Sequence, residues 1–454
     1  MASDGSMISG HPMSRRRWLS TAAAGGAAML APTLLQGQTR RRRPNVVLIV
    51  ADDLGSTDLG CYGAADLPTP NLDQLAADGI RFTQFYVAAP ACTASRASLL
   101  TGRHHPRILH YGVGLEREEV TLAEILRSEG YRTGIFGKWH LGVGPDVSPE
   151  SQGFDEFLGF KVGAIDNYSH YFYWGTGARH ALWKNDQRHA APGHYFPDLV
   201  TDAALGFIRD NQSDPFFLYL PYNLPHYPLQ PDPATATRCA GIEDPARRRY
   251  AACVATLDDC VGRVLRTLDE TGLRQDTIII FLSDHGHSEE HDSLGGGGRS
   301  TPFRGTKGTL LEGGIRVPCI VSWPGHLTAG GVRTQPVPSI DWVPTLAGYC
   351  GASLDGLAVD GLSLSGLLAS AAAAPTHDAL HWVWQKGSAV RQGPWKLVAE
   401  GLTDVHLYNL DSDPGETTDL VSVHRNVTQR LIELRKQWVR RLSDDETVRR
   451  WYGG

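Results

Sequence analysis

A short segment of the chain brings a cysteine, a serine and an arginine together at the start of a predicted helix. The segment is Cys92-Thr93-Ala94-Ser95-Arg96, and small residues with two leucines continue from it to Gly102. This pattern predicts a helix that ends at the glycine. The free N–H groups of a helix N-terminus, together with an arginine one turn further on, would attract an anion to Cys92. A buried structural cysteine is the simpler alternative, because unpaired cysteines are commonly buried.

Acidic side chains follow two of the most apolar runs in the sequence. Residues 45–51 and 277–282 are continuous apolar segments rich in β-branched residues, as expected of strands that are buried on both faces. Four ionisable residues follow these runs, namely Asp52, Asp53, Asp284 and His285. Adjacent carboxylates repel each other unless a cation or basic groups lie between them, and hard cations prefer carboxylate oxygens. The first pair therefore indicates either a metal site or a helix-capping pair.

Two further predicted strands precede basic side chains. A short strand over residues 133–136 leads to Lys138 and His140, and their two-residue spacing points both side chains the same way. Taken alone, this lysine and histidine are most simply part of a surface loop. The strand over residues 216–220 is followed by a loop that contains His226, which neighbouring prolines would hold stiff.

Apolar strands that alternate with amphipathic helices predict an α/β fold. Helices are expected over residues 69–79, 121–129 and 247–271. In open α/β sheets, ligands bind beyond the carboxyl ends of the strands. Because four predicted strands end in acidic or ionisable residues, we expect those residues to form one active site.

Composition limits the classes of function that the chain can have. Its 454 residues allow one large or two unequal domains, and a net charge of −6 gives no overall basic character for nucleic-acid binding. The seven cysteines are an odd number; if Cys92 is modified, the other six could pair in an oxidising compartment, and we assign no pairing. An alanine run over residues 371–374, followed by Pro375, predicts a subdomain boundary.

Residues 1–43 have the order of an export signal followed by a linker. A run of arginines, Arg15 to Arg17, precedes an alanine-rich apolar stretch over residues 20–35. The paired arginines resemble a bacterial twin-arginine signal, which is read by an export machinery that carries folded proteins. The apolar stretch is shorter than the roughly 20 residues that span a bilayer, so we expect no stable membrane anchor. These features predict an exported protein, periplasmic or extracellular.

Several motifs resemble those of the type I sulfatases, which belong to the alkaline phosphatase superfamily. The segment from Cys92 to Arg96 resembles the cysteine motif of that family, with Ala94 where proline is commoner, and residues 130–142 resemble its second signature. The run over residues 312–318 also resembles a family segment. The resemblance extends over nearly all of the chain from Pro44 onward.

This resemblance implies a particular fold and domain organisation. The fold would be α/β, with a large mixed, mostly parallel central sheet flanked by helices, as in alkaline phosphatase. Residues 44–374 would form the catalytic domain. Residues 375–454 would form a small C-terminal subdomain with an antiparallel sheet and a helix.

The resemblance also implies a set of chemical roles. In the family, a maturation enzyme oxidises the cysteine to formylglycine (3-oxoalanine), whose hydrated aldehyde is the nucleophile. Cys92 would be the modified residue, and one calcium ion would be held by an oxygen of that residue with four others: Asp52, Asp53, Asp284 and His285. Because calcium prefers oxygen ligands, His285 either binds the ion or lies behind its ligands.

The remaining residues of the implied site would handle the sulfate group and its protons. Those that would hold the sulfate oxygens are Arg96, Lys138 and Lys307. His226 or Lys307 would assist the leaving oxygen, and His140 would accept a proton as sulfate is released.

The function expected from this resemblance is hydrolysis of a sulfate ester. The aromatic-rich insertion over residues 151–197 and the export signal favour a sulfated carbohydrate as substrate. One alternative is a phosphate or phosphonate ester hydrolase of the same superfamily, although many of those need ligands for two zinc ions. The other is a non-catalytic carbohydrate-binding homologue whose cysteine is never modified.

Overall fold

The computed structural model describes residues 43–110, 114–174, 177–290, 296–401 and 404–443. Of the predicted export signal and linker over residues 1–43, residues 1–42 lie outside the described residues. Gly295, the first residue of a glycine run, also lies outside them.

A large mixed sheet forms the centre of the protein. The strands of the large sheet are β1 Asn45–Asp52, β2 Ile80–Tyr86, β5 Arg132–Lys138, β6 Glu156–Phe160, β9 Leu182–Lys184, β10 Gln187–Arg188, β11 Phe216–Pro225, β12 Thr277–Ser283, β13 Arg316–Ser322, β14 Gly331–Arg333 and β15 Val337–Pro338. Two small two-stranded sheets lie outside it: β3 Leu109–His110 with β4 Gly114–Leu115, and β7 Tyr171–Phe172 with β8 Arg179–His180. The order across the large sheet is β10-β9-β6-β5-β11-β1-β12-β13-β2-β14, with β15 also paired to β2. The five strands from β6 to β12 in this order are mutually parallel, whereas β13 runs antiparallel to both of its neighbours.

Helices cover both faces of this sheet. They are α1 Pro70–Ala77, α2 Cys92–Thr101, α3 Leu122–Ser128, α4 Phe196–Asp210, α5 Pro233–Arg238, α6 Pro245–Glu270, α7 Glu312–Ile315, α8 Trp342–Cys350, α9 Ser365–Ala369 and, in the C-terminal region, α10 Arg425–Ser443. Alternate residues of β1 belong to two different hydrophobic clusters, since Val46 and Leu48 pack with α2, α3 and α8, while Val47 and Ile49 pack with α4 and α6. A strand whose two faces are both covered must be apolar at every position, which explains the continuous apolar run that predicted it.

The C-terminal region contains a separate antiparallel sheet. Its strands are β16 Leu380–Trp384, β17 Gly387–Gln392, β18 Trp395–Glu400 and β19 Asp404–Asn409, in sequential order. Leu431 of α10 packs against its apolar residues, which include Val390 and Leu397. The predicted α/β fold, with a mostly parallel central sheet and a small C-terminal antiparallel sheet plus helix, is therefore confirmed.

The predicted helices are confirmed, and two of the predicted strands are longer than the sequence suggested. The strand predicted over residues 133–136 runs from Arg132 to Lys138, so Lys138 is a strand residue rather than part of a loop. The strand predicted over residues 216–220 continues through two prolines to Pro225. The seven cysteines are all unpaired in the structure. Among the described residues, no helix is both long enough and apolar enough to cross a bilayer.

Candidate active site

Parallel pairing places the ends of β5, β11, β1 and β12 side by side. Asp52, at the end of β1, lies opposite Pro225 of β11, and Ala51 lies opposite Ser283 of β12. His226, which follows β11, and Asp284, which follows β12, are therefore brought to the end of β1, where Asp52 and Asp53 lie. The backbone N–H of Asp284 donates to the carbonyl of Ala51 at 3.0 Å, which fixes this arrangement.

Cys92 is the first residue of α2, and its side chain lies among Asp52, Asp284 and His285. Its Sγ is 3.1 Å from Nε2 of His285. The imidazole of His140 lines the same cavity as Cys92. The helix ends at Gly102, whose φ of 70° lies in the left-handed region that glycine adopts readily. The predicted helix and its end are thus confirmed.

Arg96 lies one turn along α2 and joins two of the aspartates. Its Nη2 is 2.8 Å from Oδ2 of Asp284 and 3.5 Å from Oδ1 of Asp52, and all three side chains are fully buried. Lys138, also fully buried, extends from the end of β5 and donates from Nζ to Oδ2 of Asp52 at 2.7 Å. A buried charge requires such partners, because removing it from water without them is very costly.

Lys307 approaches from a loop and completes the group. Its Nζ lies 3.2 Å from Oδ1 of Asp53, 3.4 Å from Nε2 of His226 and 3.0 Å from Oε2 of Glu290. The backbone holds the loop in place, because the N–H of Gly308 donates to the carbonyl of Pro90, just before α2, at 2.8 Å.

Two residues of the site have left-handed backbone conformations. The φ angles of Asp53 and His140 are 66° and 55°. For residues other than glycine this region is disfavoured, and such conformations concentrate at functional sites where the surrounding structure enforces them. Asp53 directly follows β1, and His140 lies two residues beyond the end of β5, so each turn redirects a side chain toward Cys92 and its neighbours.

The electrostatic environment shifts several pKa values. Burial raises the pKa of the Cys92 thiol, but Lys138, Lys307 and His285 outweigh that effect and hold it well below its usual value. Burial also opposes ionisation of Asp52, yet Lys138, His226 and Arg96 lower its pKa. For His140, burial and the charge of Lys138 lower the pKa, which favours a neutral imidazole.

The residues present fit a hard divalent cation. Two groups have ligand atoms close enough to share one ion, within 4.8 Å of one another: Asp52, Cys92, Asp284 and His285, and Asp52, Asp53 and His226. Oδ1 of Asp52 and Oδ1 of Asp53 are buried and accept no hydrogen bond. Three carboxylates, two of which have an oxygen that accepts no hydrogen bond, are the ligands that calcium prefers.

A cavity of about 650 Å³ opens above this group. Cys92, His140, His226 and Lys307 lie on its surface, and so do residues from the aromatic-rich insertion and from the C-terminal sheet, namely Phe172, Trp174 and Trp384. Its size is that of a typical small-molecule site. The part of the insertion that lines the cavity is therefore next to the reactive group.

The structure brings together all ten residues that the sequence analysis selected. They are Asp52, Asp53, Cys92, Arg96, Lys138, His140, His226, Asp284, His285 and Lys307. Sequence reasoning missed Glu290, which pairs with Lys307, and Lys161, which lines the cavity. Lys161 directly follows a strand of the parallel set, and that position was the signal available in the sequence.

Comparisons with known proteins agree with this arrangement. A family model described as Sulfatase matches residues 44–352. Human arylsulfatase A is 36% identical over 476 aligned positions, which cover 91% of this chain and 90% of the human protein. The chain belongs to the sulfatase family. Mouse steryl-sulfatase is also 36% identical to this sulfatase, over 69% of the chain and 63% of the mouse protein.

A solved structure extends the likeness to the fold. Ps i-CgsB, crystallised in complex with k-i-k-neocarrahexaose, superposes on this sulfatase with a TM-score of 0.82 and 30% identity. The match covers 90% of this chain and 94% of the other. The chain is thus an enzyme of the sulfatase type, and sulfate ester hydrolysis is its reaction class.

Proposed function

We propose that this sulfatase removes sulfate from a sulfated carbohydrate by means of a formylglycine made from Cys92. One observation carries the proposal: Cys92 begins a buried helix at the floor of the cavity, with three carboxylates and three cationic side chains around it. An unmodified thiol in an ordinary core needs no such surroundings. The aldehyde is made by a separate maturation enzyme that acts on the motif containing Cys92.

The proposed cofactors are one calcium ion and the formylglycine itself. Asp52, Asp53 and Asp284 would hold the ion, with the modified residue 92, and His285 would either bind it or orient residue 92. When bound, the ion polarises oxygen, and hydrated formylglycine offers one hydroxyl to attack sulfur and a second whose deprotonation allows sulfate to leave.

The side chains around residue 92 have separate tasks in this proposal. Arg96 and Lys138 keep the acidic group in place, and Lys138 with Lys307 places positive charge where the sulfate oxygens would lie. His226 lies 3.4 Å from Lys307, so either group can stabilise or protonate the leaving oxygen. His140 lies on the surface of the same cavity as residue 92 and would take a proton from it.

The carbohydrate assignment is supported by the upper part of the cavity. Phe172, Trp174, Tyr227 and Trp384 line it, and aromatic faces suit the apolar faces of sugar rings. The structural relative Ps i-CgsB was crystallised with k-i-k-neocarrahexaose.

We also propose that the enzyme is exported to the periplasm or beyond by the twin-arginine machinery. The support is the order of Arg15 and Arg16 before an alanine-rich stretch. Replacing both arginines by lysine should leave the full-length protein in the cytoplasm of a bacterial host, whereas the unaltered protein should appear outside it. Equal export of both would contradict this part of the proposal.

Mass spectrometry of the peptide containing Cys92 tests the central claim. In active protein we expect a mass lower than that of the thiol form, as conversion to formylglycine requires. The same preparation should hydrolyse an aryl sulfate faster than the matching aryl phosphate. An unmodified thiol in fully active protein, or dominant phosphate turnover, would overturn the proposal.

A further inference from the structure

Lys161 is a buried cation that lines the active-site cavity without a partner of opposite charge in contact with it. Its side chain is 6% exposed, and among the described residues it forms neither a hydrogen bond nor an ion pair. Its Nζ lies 4.5 Å from the ring centroid of Trp183 and 5.8 Å from that of Phe157. The ammonium group of a residue this buried reaches solvent only through the cavity, where an anionic or hydrogen-bonding partner could bind it.

The charged groups near Lys161 do not supply such a partner. Glu150 and Asp186 attract it and Arg188 repels it, but none of them lies within ion-pairing distance. The guanidinium of Arg188 lies 4.2 Å from the centroid of the Trp183 ring, which Lys161 also contacts. Burial lowers the pKa of Lys161, and a bound anion would act in the opposite direction.

The position of Lys161 is fixed relative to the reactive group. Phe160 pairs with Lys138 in the parallel register of β5 and β6, and its carbonyl accepts from the N–H of Trp139 at 2.8 Å. Lys161 is the next residue. Gly163, two residues on, packs so closely on His140 that a Cβ there would lie 3.2 Å from the imidazole Cε1. The segment from Lys161 to Gly163 therefore passes beside the residues that hold the scissile sulfate.

Arg179 adds a second cation to the lining of the same cavity. Its guanidinium lies 4.7 Å from the ring centroid of Phe172, and no ion pair within the described chain engages it. Of the described residues that line the cavity, Glu290 alone carries a carboxylate, and Lys307 pairs with it at 3.0 Å. Lys161 and Arg179 are therefore cations that no described residue of the cavity lining neutralises.

We propose that Lys161 and Arg179 form a second anion-binding subsite, which selects carbohydrates that carry another anionic group besides the sulfate to be removed. That group would be a second sulfate or a sugar carboxylate, on the same ring or on the adjacent one. The inference rests on the proposed function, because it assumes that the scissile sulfate lies at residue 92.

Substrate pairs test this inference separately from the reaction itself. The enzyme is assayed on a monosulfated saccharide, on the same saccharide with a second sulfate, and on the same saccharide with a carboxylate instead. We expect kcat/KM to be roughly 10- to 100-fold higher for at least one dianionic substrate, as one or two charge-assisted hydrogen bonds would provide. The arm with the larger gain identifies the anion.

Variants then assign the gain to the two side chains. Lys161→Met and Arg179→Gln should each reduce the ratio of kcat/KM between the dianionic and monosulfated substrates, mainly through KM. Lys184→Met is the matched control, because Lys184 is exposed on β9 and does not line the cavity; its ratio should equal that of the unaltered enzyme.

The outcomes distinguish the two levels of the proposal. If no sulfate ester is hydrolysed, the proposed function itself fails. If sulfate esters are hydrolysed but the three saccharides react equally well, or if both variants leave the ratio unchanged, the second subsite is refuted. Arg179 is exposed, so its variant should fold even if Lys161→Met does not.

Discussion

Two buried groups of charged side chains differ in what surrounds them. The active-site cluster contains the ten residues around Cys92 described above. The C-terminal cluster consists of Tyr86, Glu312, Lys396 and Glu416, all fully buried where the C-terminal sheet meets the large sheet. Both clusters mix carboxylates with cations, yet the active-site cluster opens into a cavity, and the residues of the C-terminal cluster do not line it.

In the C-terminal cluster every carboxylate oxygen lies within 2.9 Å of a cation or a hydrogen-bond donor of the chain, although Oε1 of Glu416 is held by its ion pair alone. Nζ of Lys396 lies 2.9 Å from Oε1 of Glu312 and 2.9 Å from Oε1 of Glu416. The remaining oxygens accept from the Tyr86 hydroxyl at 2.6 Å and from the Glu312 N–H at 2.7 Å. Burial opposes ionisation of Glu312, but Lys396 and neighbouring arginines lower its pKa to about 2. These contacts serve structure alone.

In the active-site cluster the carboxylate oxygens are less closely paired. Asp52 and Asp53 each keep a buried oxygen that accepts no hydrogen bond, and the ion pairs of these oxygens are longer, at 3.5 Å to Arg96 and 3.2 Å to Lys307. Burial also raises the pKa of Asp284 to about 6 despite His285 and Arg96. Buried charge is therefore not in itself a mark of function. Carboxylate oxygens that lack a hydrogen bond and lie beside a cavity are the better mark of a functional site, because a ligand from outside the chain can reach them.

The largest effect is expected from Cys92→Ala. Without the residue that becomes the nucleophile, kcat should fall by at least about 10⁴-fold, while the free energy of unfolding should change by less than about 1.5 kcal/mol because the side chain is small. Aryl sulfate turnover and urea denaturation measure the two quantities. Substantial turnover by the folded variant would remove Cys92 from the mechanism.

The second largest effect is expected from metal removal, which should depend on the active-site cluster and not on the C-terminal cluster. Treatment with a calcium chelator should lower kcat on the order of 10³-fold and also lower the melting temperature, since an ion that binds the folded state stabilises it. Calcium should restore both. Asp52→Asn should weaken this response, whereas Glu416→Gln should retain it in full, since Glu416 belongs to the closed cluster. An enzyme that is indifferent to chelation, with no bound metal by elemental analysis, would contradict the calcium assignment.

Breaking the C-terminal cluster should affect stability instead of chemistry. Lys396→Met leaves two buried carboxylates without their cation, so the free energy of unfolding should fall by about 3–5 kcal/mol. The double variant Glu312→Gln/Lys396→Met should lose less than the sum of the single changes, because the two residues are in contact. The kcat of the folded fraction should be unchanged; a selective loss of kcat would mean that this cluster also serves the active site.

Part of the ten-residue site could be predicted from the sequence for a specific physical reason. Strands buried on both faces are recognisable as continuous apolar runs, and parallel strands bring their carboxyl ends to one edge. Asp52, His226 and Asp284 follow such strands, so their proximity follows from sequence order and fold class alone. Lys307 lies in a loop without this signal, and only its resemblance to a family segment identified it.

What the sequence could not show depends on contacts between distant segments. The partnership of Glu290 with Lys307 joins two loops, and the two cations of the proposed second subsite come from segments 18 positions apart in the numbering. The left-handed backbone of Asp53 and His140 arises from the packed environment, since neither residue type requires it. The extension of β11 through Pro221 and Pro225 also depends on tertiary context, because prolines ordinarily argue against a central strand.

The smallest effect is expected where backbone packing positions one active-site residue. In Gly163→Ala the new Cβ would lie 3.2 Å from Cε1 and 3.3 Å from Nε2 of His140, so the imidazole must move by a few tenths of an ångström. We expect kcat to fall by roughly 3- to 10-fold, because small displacements of catalytic groups are costly, with little change in the melting temperature. Gly206→Ala on α4 is the matched control: nothing lies within 4 Å of its added Cβ, so it should stabilise the helix by about 0.5–1 kcal/mol and leave kcat unchanged. If Gly163→Ala raises KM and leaves kcat intact, the segment moves rather than the imidazole, and this glycine does not set the position of His140.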